Sequence, residues 1–180
     1  MSKLLAIALT AAILWVATTG DPPGDPIRQH PAATHISAAD ILATIGNAPA
    51  GRVSDQQIRH IDAGGHNVGV GVVQRPPSTS LGAIQHHKQT EVYYVVSGRG
   101  TLVTGGELSE GRELDPEGAT VRRLTGPSAV GGIEDGESRD VGPGDMVIIP
   151  ADSPHGFSEI TETITYIVVR VDPEQLVELK

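Results

Sequence analysis

The sequence predicts an all-β barrel or sandwich with one short helix near its start. Three observations predict it. From Ser54 onward the apolar residues fall in short β-branched and aromatic runs such as "VGVGVV", "EVYYVV" and "TITYIVVRV". Glycines, 22 in the chain, punctuate these runs at turn positions. No long 3.6-residue period and no internal repeat is present.

The first twenty residues, "MSKLLAIALTAAILWVATTG", differ from the rest. Lys3 gives a basic start, and Leu4 to Ala17 is apolar apart from Thr10. The run is too short to span a bilayer comfortably. Thr18 and Gly20 are small residues at the −3 and −1 places of a cleavage site, so residues 1–20 read as a secretory signal peptide. The expected location is periplasmic or secreted, with no stable membrane insertion after cleavage. The chain has no cysteine, which excludes disulfides, a thiol nucleophile and a cysteine-borne lipid anchor. Residues 21–36, rich in proline and polar residues, read as a flexible spacer before a single domain over 37–180.

In that domain, "ISAADILATIGN" predicts the helix. Ser37 and Asp40 have capping-box spacing, Ile41, Leu42 and Ile45 form an apolar stripe, and Gly46-Asn47 can end it. Two strands are expected around the Ala63-Gly64-Gly65 turn, and a strand–turn–strand in "EVYYVVSGRGTLVTGG" with Ser97 to Gly100 as the turn. "GDMVIIPADSPHGF" reads as strand and turn, and "TITYIVVRVDP" as a last strand. Residues 105–142 are charged and glycine-rich, with only Thr120 to Leu124 and Val130 to Ile133 as short strand candidates. They read as an elaborated hairpin between two barrel strands.

Charge and aromatic content narrow the partners. Without the leader the chain keeps 12 Lys and Arg against 22 Asp and Glu, a poor match for nucleic acid or an anionic membrane. Its aromatics are then Tyr93, Tyr94, Phe157 and Tyr166, too few to stack a large ring system. A small-molecule ligand or substrate fits better. No phosphate loop is present, and no helix opens after the glycines of "GVGVVQRP" to make a dinucleotide site.

Two segments carry candidate chemistry. In "QHHKQTEVYYVVSG", His86 and His87 precede Glu91 by five and four residues, and six residues separate Glu91 from Gly98. In "GDMVIIPADSPHGF", five residues separate Gly144 from Pro150, and His155 lies five beyond that proline. Together these resemble the two motifs of the cupin superfamily, over residues 82–98 and 144–159. The resemblance implies a cupin-type jelly-roll β-barrel, often paired into a homodimer. It also implies a divalent metal ion (Fe, Mn, Ni or Zn) held by histidines and a glutamate.

The ligand candidates are His86, His87, Glu91 and His155. On one continuous strand His87 and Glu91 share a face, as do Tyr93 and Val95, while Tyr94 points the other way. That parity favours His87; a bulge could bring in His86 as well, and counting four residues between the histidine and Glu91 makes His86 the second histidine of the motif, with Ile84 in the first place. Gln85 stands where the family's first histidine would, as a fourth ligand or a partner to the ligands. Asp152 replaces the family's glycine, and aspartate tolerates the left-handed turn expected there. The other histidines, His30, His35, His60 and His66, lie outside both motifs and read as surface residues.

Tyr93, two residues after Glu91, is the candidate proton-transfer residue. The Glu-x-Tyr step is similar to that of cupin-type lyases acting on dimethylsulfoniopropionate. Two functions follow from the resemblance. One is a metal-dependent enzyme of dioxygenase, lyase or isomerase type on a small polar or organic-acid molecule. The other is a non-catalytic cupin that binds a small ligand or sugar and has lost metal chemistry.

Overall fold

The computed structural model describes residues 32–79 and 82–180. The expected signal peptide and most of the spacer lie outside the described residues. Among the described residues no helix is long and apolar enough to cross a membrane.

Helix α1 spans Ala38–Gly46. Ser37 caps it as its sequence predicts: its hydroxyl accepts from the Asp40 N–H, and the Asp40 carboxylate accepts from the Ser37 N–H. The helix lies against the first hairpin, β1 (Ser54–Asp62) and β2 (Asn67–Arg75). Ile41 and Ile45 are half-buried there, whereas Leu42 of the expected stripe is exposed.

Seven more strands follow: β3 (Ala83–His86), β4 (Thr90–Thr104), β5 (Glu107–Glu113), β6 (Ser128–Glu134), β7 (Glu137–Val141), β8 (Met146–Ile149) and β9 (His155–Asp172). Two long strands organise them. β9 pairs along nearly all its length with β4. Its C-terminal half also takes β2 on the other edge, while its N-terminal end meets β3. β4 pairs first with β8, at Glu91–Tyr94, and then with β7, at Gly100–Thr104. All nine strands therefore join one sheet, in which β4 and β9 each carry several partner strands along their length. The fold is a jelly-roll β-barrel with one short helix.

The core sits between the two faces. Tyr93, Val95 and Leu102 of β4 meet Ile164, Tyr166 and Val168 of β9, with Val73, Val141, Ile149 and Phe157 closing the cluster. The period-2 reading of β4 holds: Tyr93 and Val95 are buried, and Tyr94 is exposed.

Three sequence expectations need correction. Ser97 to Gly100 do not turn the chain. β4 runs straight through them with register shifts against β9, so the glycines bend one strand instead of joining two. Gly98 has φ +78, and a Cβ there would lie 2.1 Å from the Thr163 carbonyl oxygen, so only glycine allows this approach. Thr120 to Leu124 is not a strand. Val121–Thr125 forms a single π-helical turn inside the long β5–β6 connection, while Val130 to Ile133 does lie in β6. His60 is buried instead of exposed, its ring Nδ1 donating to the Glu178 carbonyl at 2.9 Å.

Candidate metal centre

Glu91 is the second residue of β4, and its side chain points inward among groups that all bear on its two oxygens. It is 1 % exposed. One oxygen accepts from Arg170 Nε at 2.7 Å and lies 3.4 Å from His86 Nε2. The other accepts from the Tyr93 hydroxyl at 2.8 Å and lies 3.2 Å from His155 Nε2. Burial works to raise the carboxyl pKa. The Arg170 guanidinium overcomes that and holds it well below the usual carboxylate range. Glu91 is an anion here.

The tautomer that each neutral imidazole takes can be read from its outer nitrogen. His155 opens β9 just past Pro154, and its Nδ1 lies 3.0 Å from the Ser153 carbonyl. A carbonyl only accepts, so Nδ1 carries a proton, and in the neutral ring Nε2 then presents a lone pair. His86, the last residue of β3, has Nδ1 2.9 Å from Ser128 Oγ on β6. That hydroxyl lies within reach of the carbonyls of Thr125 and Gly126, at 3.2 and 3.0 Å, which take its proton. Ser128 therefore accepts from His86 Nδ1, and His86 Nε2 also faces Glu91 as a lone pair. Burial pushes the His86 pKa down despite the neighbouring Glu91, which favours the neutral ring.

The donor set of His86, Glu91 and His155 could hold a metal ion: the three are buried, with ligand atoms within 4.8 Å of one another. The fit test is a buried orphan. His155 Nε2 has no hydrogen-bond partner, although the Glu91 oxygen is 3.2 Å away. With Nδ1–H committed to Ser153, a neutral ring sets two lone pairs against each other in this buried interior, an arrangement a cation between them relieves. Two neutral imidazoles and a carboxylate suit a divalent first-row ion.

The structure gives His87 a different place from the one that strand parity predicts. β3 ends at His86 and β4 begins at Thr90, so residues 87 and 91 do not share one strand. The His87 N–H bonds the Pro127 carbonyl at 3.0 Å, which pins the bend between them. The His87 ring turns outward, with Nδ1 3.2 Å from Asp152 and Nε2 3.0 Å from Glu113. Partial burial lowers its pKa, and those two carboxylates outweigh that to raise it. Gln85 also points away from Glu91: its amide donates to the Asp152 carbonyl and carboxylate at 2.9 and 3.0 Å. Asp152, at φ +66, does take the left-handed turn expected of it, and its carboxylate then ties down both Gln85 and His87.

Several site residues escape the motifs. Arg170 lies buried in β9, forked between Glu91 and the Asp55 carboxylate, to which it donates at 2.6 and 3.1 Å. Its signal was legible: a lone cation in "TYIVVRV", on the inward parity of Tyr166 and Val168. Ser128 and Asp55 carry no such signal. Tyr93 stacks on Tyr166 with ring centroids 4.3 Å apart. Burial and Glu91 raise its pKa well above the ordinary phenol value, so it stays protonated and donates. Beside His155 and Tyr93 opens a cavity of about 500 Å³, with Leu102, Val130 and Phe157 in its wall.

No family model matches the chain, and no curated protein matches it. Solved structures do. A Bacillus halodurans protein, BH2720, is 13 % identical with TM-score 0.48, over 83 % of this chain and 90 % of that one. A Klebsiella pneumoniae protein with a double-stranded β-helix domain is 15 % identical with TM-score 0.44, over 74 % and 88 %. The DMSP lyase DddQ of Ruegeria pomeroyi is 17 % identical with TM-score 0.44 over 74 % of this chain, which spans 55 % of that protein. None of these likenesses says what this chain binds.

Proposed function

We propose that the protein is an exported, metal-dependent enzyme acting on a small polar or organic-acid molecule at the inner end of the cavity. The observation that carries this reading is the unpartnered His155 Nε2 facing the Glu91 carboxylate at 3.2 Å inside the barrel. His86, Glu91 and His155 would hold the divalent ion. When bound, such an ion supplies a Lewis acid or a site for substrate oxygen.

The chain's own residues do the rest. The Ser153 carbonyl and Ser128 hydroxyl fix the two imidazole tautomers and ring orientations. Arg170 holds Glu91 ionised and in place. Tyr93 orients the same carboxylate and, as a protonated phenol on the cavity wall, can give a proton to a bound molecule but not take one at neutral pH. The leader of residues 1–20 supports action outside the cytoplasm.

The test is turnover. Protein freed of metal and reloaded separately with Fe(II), Mn(II), Ni(II) or Zn(II) is incubated with a panel of small hydroxy, keto and unsaturated acids, and products are followed by NMR. The reading expects conversion that needs metal and disappears in Glu91→Ala. Metal binding without conversion of any panel member would favour the ligand-binding alternative.

A further inference from the structure

The cavity beside His155 carries a cation without a counter-ion. Arg75, at the end of β2, lines it. Its Nε donates to the Tyr166 hydroxyl at 3.0 Å, and its guanidinium lies 5.8 Å from the Phe157 ring centroid. Among the described residues no carboxylate lies within ion-pair distance of Arg75. Glu91 and Asp55, the acidic groups of this interior, are both taken by Arg170. A second arginine, Arg112, reaches the same cavity from β5, where a register shift after Ser109 re-aims the strand. Glu110 is the one carboxylate in the cavity lining, and it makes no ion pair with either arginine among the described residues.

Interior charge then decides what the cavity prefers. Glu91 and Asp55 match Arg170 and Arg75 in number, but both pair with Arg170, which leaves Arg75 without an ion-pair partner among the described residues. A divalent ion on His86, Glu91 and His155 would add two positive charges to a site walled by Leu102, Val130 and Phe157. Uncompensated charge in such surroundings is costly, and an anion brought by the ligand offsets it. A neutral or cationic ligand does not.

We infer that the cavity takes a small organic oxyanion, a carboxylate on a short apolar body, whose anionic end pairs with the free edge of the Arg75 guanidinium. The anion and the divalent ion then strengthen each other's binding, by the reciprocity of linked equilibria. The anion site stands on Arg75 alone; the coupling rests on the metal reading above.

The probes are propionate and its neutral isostere propionamide. Each is titrated into the ¹⁵N-labelled full chain, metal-free and loaded with Zn(II), following the Arg75 Nε–H and the Gly131 and Gly156 amides. Propionate is expected to shift these signals and to bind roughly tenfold or more tighter than propionamide, because only it pairs with the guanidinium. Arg75→Gln is expected to lose a similar factor for propionate while Zn(II) affinity changes by no more than about threefold. If Arg75→Gln fails to fold, Val130→Asp leaves Arg75 intact, places a carboxylate in the cavity, and is expected to expel propionate. Equal binding of the two probes, or propionate binding indifferent to both substitutions, overturns the inference. Arg75-dependent propionate binding in a chain that takes no Zn(II) keeps the anion site and sinks the metal reading. Zn(II) binding with no Arg75 dependence does the reverse.

Discussion

Replacing Arg170 with methionine should expose how the site holds its charge. The guanidinium makes one 2.7 Å bond to Glu91 and two to Asp55, at 2.6 and 3.1 Å. The two carboxylates lose unequally. Asp55 is partly exposed, with 24 % of its side-chain surface accessible, and recovers water, so its share is within about 1 kcal/mol. Glu91 is 1 % exposed and keeps only the Tyr93 hydroxyl as a donor. Breaking a buried pair from one side costs about 3–5 kcal/mol, and most of that falls on Glu91. Against a total stability of about 5–15 kcal/mol, the metal-free variant should be marginal.

The loss also has a sign in pH. In the wild type the Glu91 pKa is depressed on folding, so its contribution is present above the ordinary carboxylate range and is lost as pH falls. In the variant, burial without the guanidinium raises it, so the folded state binds the extra proton and stability falls as pH rises. Urea unfolding of metal-free protein should therefore show a gap between the two proteins that widens from pH 5 to pH 8. Saturating divalent metal, which replaces the missing positive charge, should narrow it. A gap below about 1 kcal/mol, or one that does not change with pH, would refute the placement of Glu91 as a buried anion held by Arg170.

Three further outcomes can be checked. His86→Ala should weaken metal binding by roughly a hundredfold or more in chelator competition, while His87→Ala stays within a few fold; the reverse order would restore the strand-parity reading. Gly98→Ala should destabilise the barrel by about 2–4 kcal/mol or prevent folding, because its Cβ meets the Thr163 carbonyl; a urea midpoint equal to wild type would contradict the bent-strand description. Metal-free stability should decline as pH falls below about 6.5, since the unfolded chain protonates a histidine that burial keeps neutral at His86. His87, raised on folding, acts with the opposite sign but is partly exposed and contributes only tenths of a kcal/mol, so flat midpoints from pH 7.5 to 5 would argue against a buried neutral His86.

The sequence and the structure part company at specific residues, for physical reasons. Alternation was enough to place Tyr93 inward and Tyr94 outward, and capping chemistry was enough to start α1 at Ser37. Alternation failed at His87 because it assumes an unbroken strand. The Pro127 carbonyl that pins the bend lies forty residues away in the chain, beyond local pattern. Gly98 was visible, but a glycine marks a turn and a bent strand alike until the Thr163 backbone is seen against it. The 105–142 stretch read as an elaborated hairpin because its charges mask short strands. It nevertheless supplies Ser128 behind His86 and Arg112 in the cavity. Arg170 could have been flagged as a charge on an inward parity, but its partner Asp55 could not.

The most direct measurement is the visible absorption spectrum of the full chain titrated with Co(II), whose d–d bands report ligand number and type. The account predicts saturation at one ion per chain with bands of a nitrogen- and oxygen-ligated site. Those bands should vanish in His155→Ala and in Glu91→Gln and survive in His87→Ala. No Co(II) spectrum in the wild type, or one that persists unchanged in His155→Ala, would contradict a centre built on His86, Glu91 and His155.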